Sequence, residues 1–169
     1  MFLLKDIPDK KAIKAAAGDD KNVDASSVSS VLGVLKASSD MLVEIEKFFS
    51  ENNLSLSRYT ALSLLSSYPE GLFPYELADH MGISRATASS VIKGLETAGY
   101  VGTVKSGDDR RMKKITATQE GLVLYVSLVS KFYALLTSLF GSNDKKDVKS
   151  VNIVMKTISE RVQNYKNNS

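Results

Sequence analysis

Apolar residues recur at spacings of three, four and seven between residues 27 and 52, which predicts a long amphipathic helix with one apolar stripe. The stripe consists of Val28, Val31, Leu32, Leu35, Leu42, Ile45 and Phe49. A second helix is expected from Ser57, which is a good N-cap residue, and Pro69-Glu70-Gly71 would end it. Two helices therefore precede the middle of the chain.

The middle of the chain has the pattern of a helix-turn-helix. Pro74 suits the first position of a short helix, because its missing N–H would be unpaired there anyway, and Gly82 would end that helix. Ser84 then caps a further helix, which Gly99 ends. The apolar residues of this second helix share one face, and they are Ala88, Val91, Ile92, Leu95 and Ala98. The opposite face is small and polar with one cation, Lys93. Such a face suits close approach to the base edges of DNA, and an ordinary solvated helix face is the alternative.

Two short strands are expected next, at residues 100–105 and 112–116, after a very short one at Leu72-Phe73. Gly107-Asp108 between the pair is typical of a turn. Arg110 and Arg111 at a hairpin tip suit insertion into a DNA minor groove, where narrowing deepens the negative potential. The alternative is a surface salt-bridge cluster, whose pairs contribute only about 0–1 kcal/mol each. The helix-turn-helix directly upstream favours a wing.

The C-terminal third predicts two more helices. Thr118 would cap a helix over residues 119–140 that is apolar nearly all round, and Asp144 would cap a last one reaching about Tyr165. The apolar positions of the last helix alternate by four and three, close to a coiled-coil seam. Three long helices thus carry apolar faces that the small central unit cannot cover. An interlocked homodimer would cover them, and a closed monomeric bundle is the alternative.

The expected fold is mainly α with a small β-wing, in which a winged helix-turn-helix is flanked by N- and C-terminal dimerisation helices. We assign residues 1–27 to an N-terminal arm, 28–52 to a dimerisation helix, 53–118 to the DNA-binding domain and 119–169 to C-terminal dimerisation helices. For residues 8–17, a short helix ended by Gly18 and a mobile arm both remain open.

The positive charge of the chain is concentrated in the helix and wing. Residues 84–118 hold seven basic and three acidic side chains, a balance of +4, whereas the whole chain carries +3. Such clustering is expected where a protein meets phosphate. The absence of cysteine excludes disulfides and thiolate metal sites. We find no apolar run approaching the roughly 20 residues of a membrane span and no signal peptide, which predicts a soluble cytoplasmic protein.

Several short motifs are similar to those of a known family. They are Ile83-Ser84-Arg85-Ala86-Thr87-Ala88-Ser89, Leu95-Glu96-Thr97-Ala98-Gly99-Tyr100-Val101, Asp108-Asp109-Arg110-Arg111 and Thr118-Gln119-Glu120-Gly121. In this order and spacing, the run from Ser57 to Thr118 resembles the MarR (multiple antibiotic resistance regulator) family of winged-helix transcription factors. Three positions depart from it: the family often has arginines where this chain has Ser90 and Gly94, and the usual Thr before Pro74 is Phe73.

The resemblance implies a homodimer that binds a pseudo-palindromic operator in double-stranded DNA, usually as a repressor. In many members a small aromatic ligand lowers the affinity for DNA. The residues that would face the major groove are Ser84, Arg85, Thr87, Ser89, Ser90 and Lys93. Arg110 or Arg111 would reach the minor groove, with Lys105 on the adjoining strand. Candidate walls of a ligand pocket are Met41, Phe49, Tyr59 and Tyr68, although aromatic and Met residues at helical spacing are more often part of a core.

An enzyme is not expected. The one histidine, His80, lies on the short scaffold helix, and the sequence has no Gly-rich phosphate loop, no Cys/His metal set and no nucleophile–base pair. The Asp19-Asp20 and Asp108-Asp109 pairs lie in charged turns, so neither a metal nor a cofactor is predicted. The stronger rival is a winged-helix protein-interaction module that does not bind DNA.

Overall fold

The computed structural model describes residues 6–105, 113–141 and 144–168, without the side chain of Lys105. These ranges form seven helices and one two-stranded sheet. In chain order they are α1 (Lys10–Ala17), α2 (Ala25–Glu51), α3 (Leu56–Ser67), α4 (Pro74–Met81), α5 (Arg85–Thr97), β1 (Val101–Lys105), β2 (Lys113–Ala117), α6 (Gln119–Phe140) and α7 (Lys145–Asn168). The expected fold class, mainly α with a small β-wing, is confirmed.

The chain divides into two compact units, Met1–Val129 and Ser130–Ser169. The first unit holds the core, whose fully buried large side chains are Phe49, Leu62, Leu65, Leu77, Leu95 and Leu128. Full burial of such a side chain contributes roughly 1.5–3 kcal/mol. The second unit contains α7, in which no described residue is buried.

Of the two alternatives for residues 8–17, the structure shows the helix. The Asp9 carboxylate accepts a hydrogen bond of 2.7 Å from the Ala12 N–H, and Gly18 ends α1 with a φ of 61°. Ile13 is buried, and α1 packs on α2. Residues 10–17 are therefore a docked helix.

The first residues of α2 and α3 differ from the expected ones. α2 begins at Ala25 because the Asp24 carboxylate accepts from the Ser27 hydroxyl and from the N–H groups of Ser27 and Ser26. These hydrogen bonds, led by the Ser27 hydroxyl, lower the pKa of Asp24. α3 begins at Leu56 because the Ser55 hydroxyl, not that of Ser57, accepts from the Arg58 N–H at 3.3 Å.

The start of α4 lacks a side-chain cap at Phe73, as the sequence predicts. A carboxylate replaces it, because Glu76 Oε2 accepts from the Phe73 N–H at 2.8 Å. Pro74 is the first helical residue, and Gly82 ends α4 in the left-handed conformation, with φ 64° and ψ 33°. The turn into α5 is therefore made as expected.

The wing strands pair antiparallel, with Val101 opposite Ala117 and Lys105 opposite Lys113. The expected short strand at Leu72-Phe73 is a single β-bridge, in which Leu72 and Ile115 exchange hydrogen bonds of 3.0 and 2.8 Å. Gly71 makes this approach possible: its φ is +75°, and a Cβ there would lie 2.6 Å from the Ile115 carbonyl oxygen.

The expectation that no stretch has the length and apolarity of a membrane span is wrong. α6 has 22 residues, and an 18-residue window within it has a mean hydropathy of 1.7, so its length and composition would permit a span. Ser, Thr and Lys residues interrupt the apolar runs but do not lower the mean hydropathy enough to exclude a span. Only 6% of that window is buried within the chain. This weak indication of a membrane span fits equally a helix that another protein surface covers.

Candidate nucleic-acid interface

α4 and α5 pack against each other through a short turn. The Ile83 N–H donates to the Ala78 carbonyl at 3.1 Å, which joins the turn to α4. The inner face of α5 is buried as predicted at Ala88, Val91, Ile92 and Leu95. Ala98 is exposed, which corrects the predicted face, because it follows the last helical turn as the C-cap. The outer face of α5 consequently points away from the core.

The six residues expected to face a major groove all lie exposed at α5. The Ser84 hydroxyl accepts from the Thr87 N–H at 3.1 Å and pairs with the Thr87 hydroxyl at 2.8 Å, so these two side chains also cap the helix. Ser89, Ser90 and Lys93 follow along the helix. The structure thus brings these predicted residues onto one helix surface, and their contact with DNA stays a prediction.

The base of the wing is tied to the end of α5. Thr118 Oγ1 donates to the Gly99 carbonyl at 2.8 Å and accepts from the Gly121 N–H at 3.1 Å, as the predicted cap of α6 should. The backbone of Lys105 lies directly opposite that of Lys113 in the ladder. Arg110 and Arg111 lie outside the described residues.

One cation that the sequence analysis did not place here is Arg58. It belongs to the first turn of α3, yet its guanidinium lies against α5 at Gly94. A Cβ at position 94 would come within 2.7 Å of Arg58 Cζ and Nε. The sequence signal for this contact was Gly94. Glycine in a helix interior costs about 1 kcal/mol relative to alanine, so its presence there suggests a close neighbour.

Of the four candidate pocket residues, Phe49 and Tyr59 lie together, and a ligand pocket stays a prediction. Phe49 and Tyr59 are 0% and 5% exposed and pack with ring centroids 4.7 Å apart, so they belong to the core. Tyr68 ends α3 and lies against His80, with centroids 5.3 Å apart. Met41 is half-buried on α2, about 12 Å along the helix from Phe49. For Phe49 and Tyr59, the alternative prediction that they are core residues is therefore confirmed.

Metal chemistry receives no support from the described residues, among which no group of three or more His, Cys, Asp or Glu side chains could hold an ion. His80 is exposed beside Tyr68. The acidic pair Asp19-Asp20 is exposed in the turn after α1, where Asp20 accepts from the Asn22 N–H at 2.9 Å.

Comparison with protein families gives a match to the MarR family over residues 52–112, from the end of α2 to the wing. Among characterised proteins, the transcriptional repressor YetL of Bacillus subtilis (strain 168) is 27% identical over 148 residues, which cover 86% of this chain and 89% of that protein. The relatives found are transcriptional regulators and not enzymes.

Solved structures share the fold. Sco3205 of Streptomyces coelicolor, a MarR-family regulator solved in complex with DNA, superposes with a TM-score of 0.74 at 19% identity, over 83% of this chain and 90% of that one. CouR of Rhodococcus jostii RHA1, bound to p-coumaroyl-CoA, gives a TM-score of 0.63 at 23% identity, over 75% and 89% of the two chains. Residues 52–112 are therefore similar to the MarR family, and the chain shares the winged helix-turn-helix fold of the solved MarR-family structures.

Proposed function

We propose that this chain is a transcriptional repressor that binds a pseudo-palindromic operator as a homodimer. The observation that carries the proposal is the exposed outer face of α5, with Arg85, Lys93 and small hydroxyl side chains, beside the lysine-bearing base of the wing. Small residues let a helix approach base edges closely, and hydroxyls donate or accept there. The one acidic residue of α5, Glu96, lies in its last turn.

Two of the similar proteins support the proposal of DNA binding and repression. Sco3205 is solved in complex with DNA, and YetL is named a repressor. In the proposed complex, Thr87, Ser89 and Ser90 discriminate between bases, while the arginines at 110 and 111 supply much of the affinity from the minor groove. A protein-interaction module with the same fold remains the rival, and DNA binding separates the two.

The dimer accounts for the apolar side chains that the single chain leaves exposed. On α2 they include Val31 at 53% and Leu42 at 51%, and on α6 they include Val123 at 60% and Val126 at 68%. Monomeric soluble proteins rarely expose large contiguous apolar patches. α6 contains Lys131, and its Gly121 and Leu128 are buried, which favours a protein interface over lipid. A cytoplasmic location follows from this proposal.

A small aromatic effector is part of the proposal because CouR is solved with p-coumaroyl-CoA. Of the four candidate pocket residues, Tyr68 is 39% exposed and Met41 is half-buried. These two are the side chains that a ligand would reach first, since Phe49 and Tyr59 are enclosed.

The test is selection of bound duplexes from a random DNA pool, followed by a titration of the selected duplex over a range of salt concentrations. We expect two half-sites centred about 10–10.5 base pairs apart, one turn of DNA. The logarithm of the binding constant should fall with the logarithm of the salt concentration by about 0.9 per phosphate contacted. No enrichment of any sequence, and no salt-dependent binding, would instead favour the interaction module.

A further inference from the structure

An open groove runs between α3 and α5. Two adjoining cavities of about 520 and 460 Å³ form it, and both are lined by Arg58 and Ser90. The first extends towards the α2–α3 turn, and the second extends along α5 past Lys93 to Thr97. Every residue that lines either cavity is neutral or basic, and the two cations among them are Arg58 and Lys93. We call this the Arg58 groove.

The guanidinium of Arg58 is not used by a partner within the described chain. Among the residues that the structure describes, no carboxylate oxygen lies within 4.0 Å of the Arg58 guanidinium, and no hydrogen bond from this guanidinium is found. Arg58 is half-buried, so part of its hydration is already lost. A planar guanidinium with five donors and no carboxylate is suited to a phosphate.

Gly94 leaves the space that the Arg58 guanidinium occupies against α5. The Arg58 side chain crosses α5 where a Cβ would stand, 2.7 Å from Nε and Cζ. An alanine at position 94 would improve the helix but displace the flexible end of Arg58. A destabilising residue at this position therefore keeps the cation against the helix that carries Ser90 and Lys93.

We propose that the Arg58 groove is a phosphate-binding site, in which Arg58, positioned by Gly94 and beside Lys93, contacts a backbone phosphate of the DNA duplex. The inference rests on the proposed function, and it adds a contact from α3 that lies outside the recognition helix and the wing. The phosphate fixes the position of α5 on the duplex and carries no base information itself.

The experiment is a double-mutant cycle of Arg58→Gln and Gly94→Ala, with each variant titrated against the selected duplex. Arg58→Gln should weaken binding on the order of tenfold and reduce the salt slope by about 0.9. Gly94→Ala should also weaken binding while the thermal midpoint stays the same or rises. The double variant should bind no more weakly than Arg58→Gln alone, because Gly94 acts only through Arg58. Arg58→Lys keeps the charge and should retain most of the salt slope.

Controls separate the possible failures. Lys11→Gln removes an exposed cation from α1 and should leave the affinity unchanged. If Arg58→Gln lowers the thermal midpoint and leaves both the affinity and the salt slope unchanged, Arg58 is a packing residue and this inference is wrong, whereas the proposed function stands. If the wild-type chain enriches no duplex, the proposed function and this inference both fail.

Discussion

α5 and α6 are both helices with apolar faces, and they bury those faces very differently. Ala88 and Leu95 of α5 are 0% exposed, so the inner face of that helix is complete within one chain. α6 has a window of mean hydropathy 1.7, yet Val123 and Val126 are 60% and 68% exposed. The apolar content of a helix therefore does not indicate whether the same chain or another one covers its apolar face. α3, α4 and β1 cover α5, whereas α6 keeps several large apolar side chains exposed in the described residues of one chain.

The difference separates two kinds of stability. The winged region should unfold with a free energy that its own core sets. The association of the long helices should depend on protein concentration, because a second copy would supply the missing surface in the proposed dimer. Substitutions in α5, α6 and the wing should therefore change three different measured quantities.

The largest effect is expected from Leu95→Ala. This side chain is fully buried on α5, and truncation of a buried leucine costs about 2–5 kcal/mol of unfolding free energy. Urea denaturation should show a lower midpoint by a similar shift at low and at high protein concentration. Thr97→Ala, at an exposed position of the same helix, should stay within about 0.5 kcal/mol of wild type. If the change in urea midpoint caused by Leu95→Ala depended on protein concentration, the inner face of α5 would belong to an interface between chains. The proposed difference between α5 and α6 would then be wrong.

A second expected effect is on self-association. Val126→Asp places a charge on the most exposed valine of α6, and in the proposed twofold dimer this charge would lie in the interface twice. The dissociation constant of the dimer should rise at least about 100-fold, which corresponds to about 2.7 kcal/mol. Analytical ultracentrifugation measures it. Val126→Thr keeps the shape without the charge and should have a smaller effect. If the Val126→Asp variant self-associates as tightly as the wild type, α6 is not part of the proposed interface.

The smallest of the three effects concerns the wing. Arg110→Ala and Arg111→Ala change neither the described core nor the long helices, so folding and self-association should be unchanged. At least one of them should weaken binding of the selected duplex, on the order of tenfold, and lower the salt slope. Fluorescence anisotropy over a range of salt concentrations measures both. If both variants bind like wild type, the arginines do not contribute to DNA binding.

The sequence predicted the elements whose signals are local. Pro74, Gly82, Ser84 and Thr118 all occupy their expected positions, because a cap or a stop is decided within about one helical turn. The N-cap predicted at Ser57 was wrong by two residues, since Ser55 and Ser57 are chemically equivalent and only the geometry selects one.

The features that sequence reasoning missed depend on contacts between distant residues. Arg58 and Gly94 are 36 positions apart, and no periodicity within α3 or α5 joins them. The membrane-span expectation counted unbroken apolar runs and so overlooked the mean hydropathy of α6. Phe49 and Tyr59 could not be assigned to a pocket or a core from spacing, because both uses require the same residue types.

The most direct test is the mass of the complex between the chain and its selected duplex, by native mass spectrometry. The account predicts two chains of 18.4 kDa on each duplex with two half-sites. One chain per duplex, or a chain that stays monomeric and unbound, would contradict the claim that a second copy covers the long helices and that the pair reads DNA.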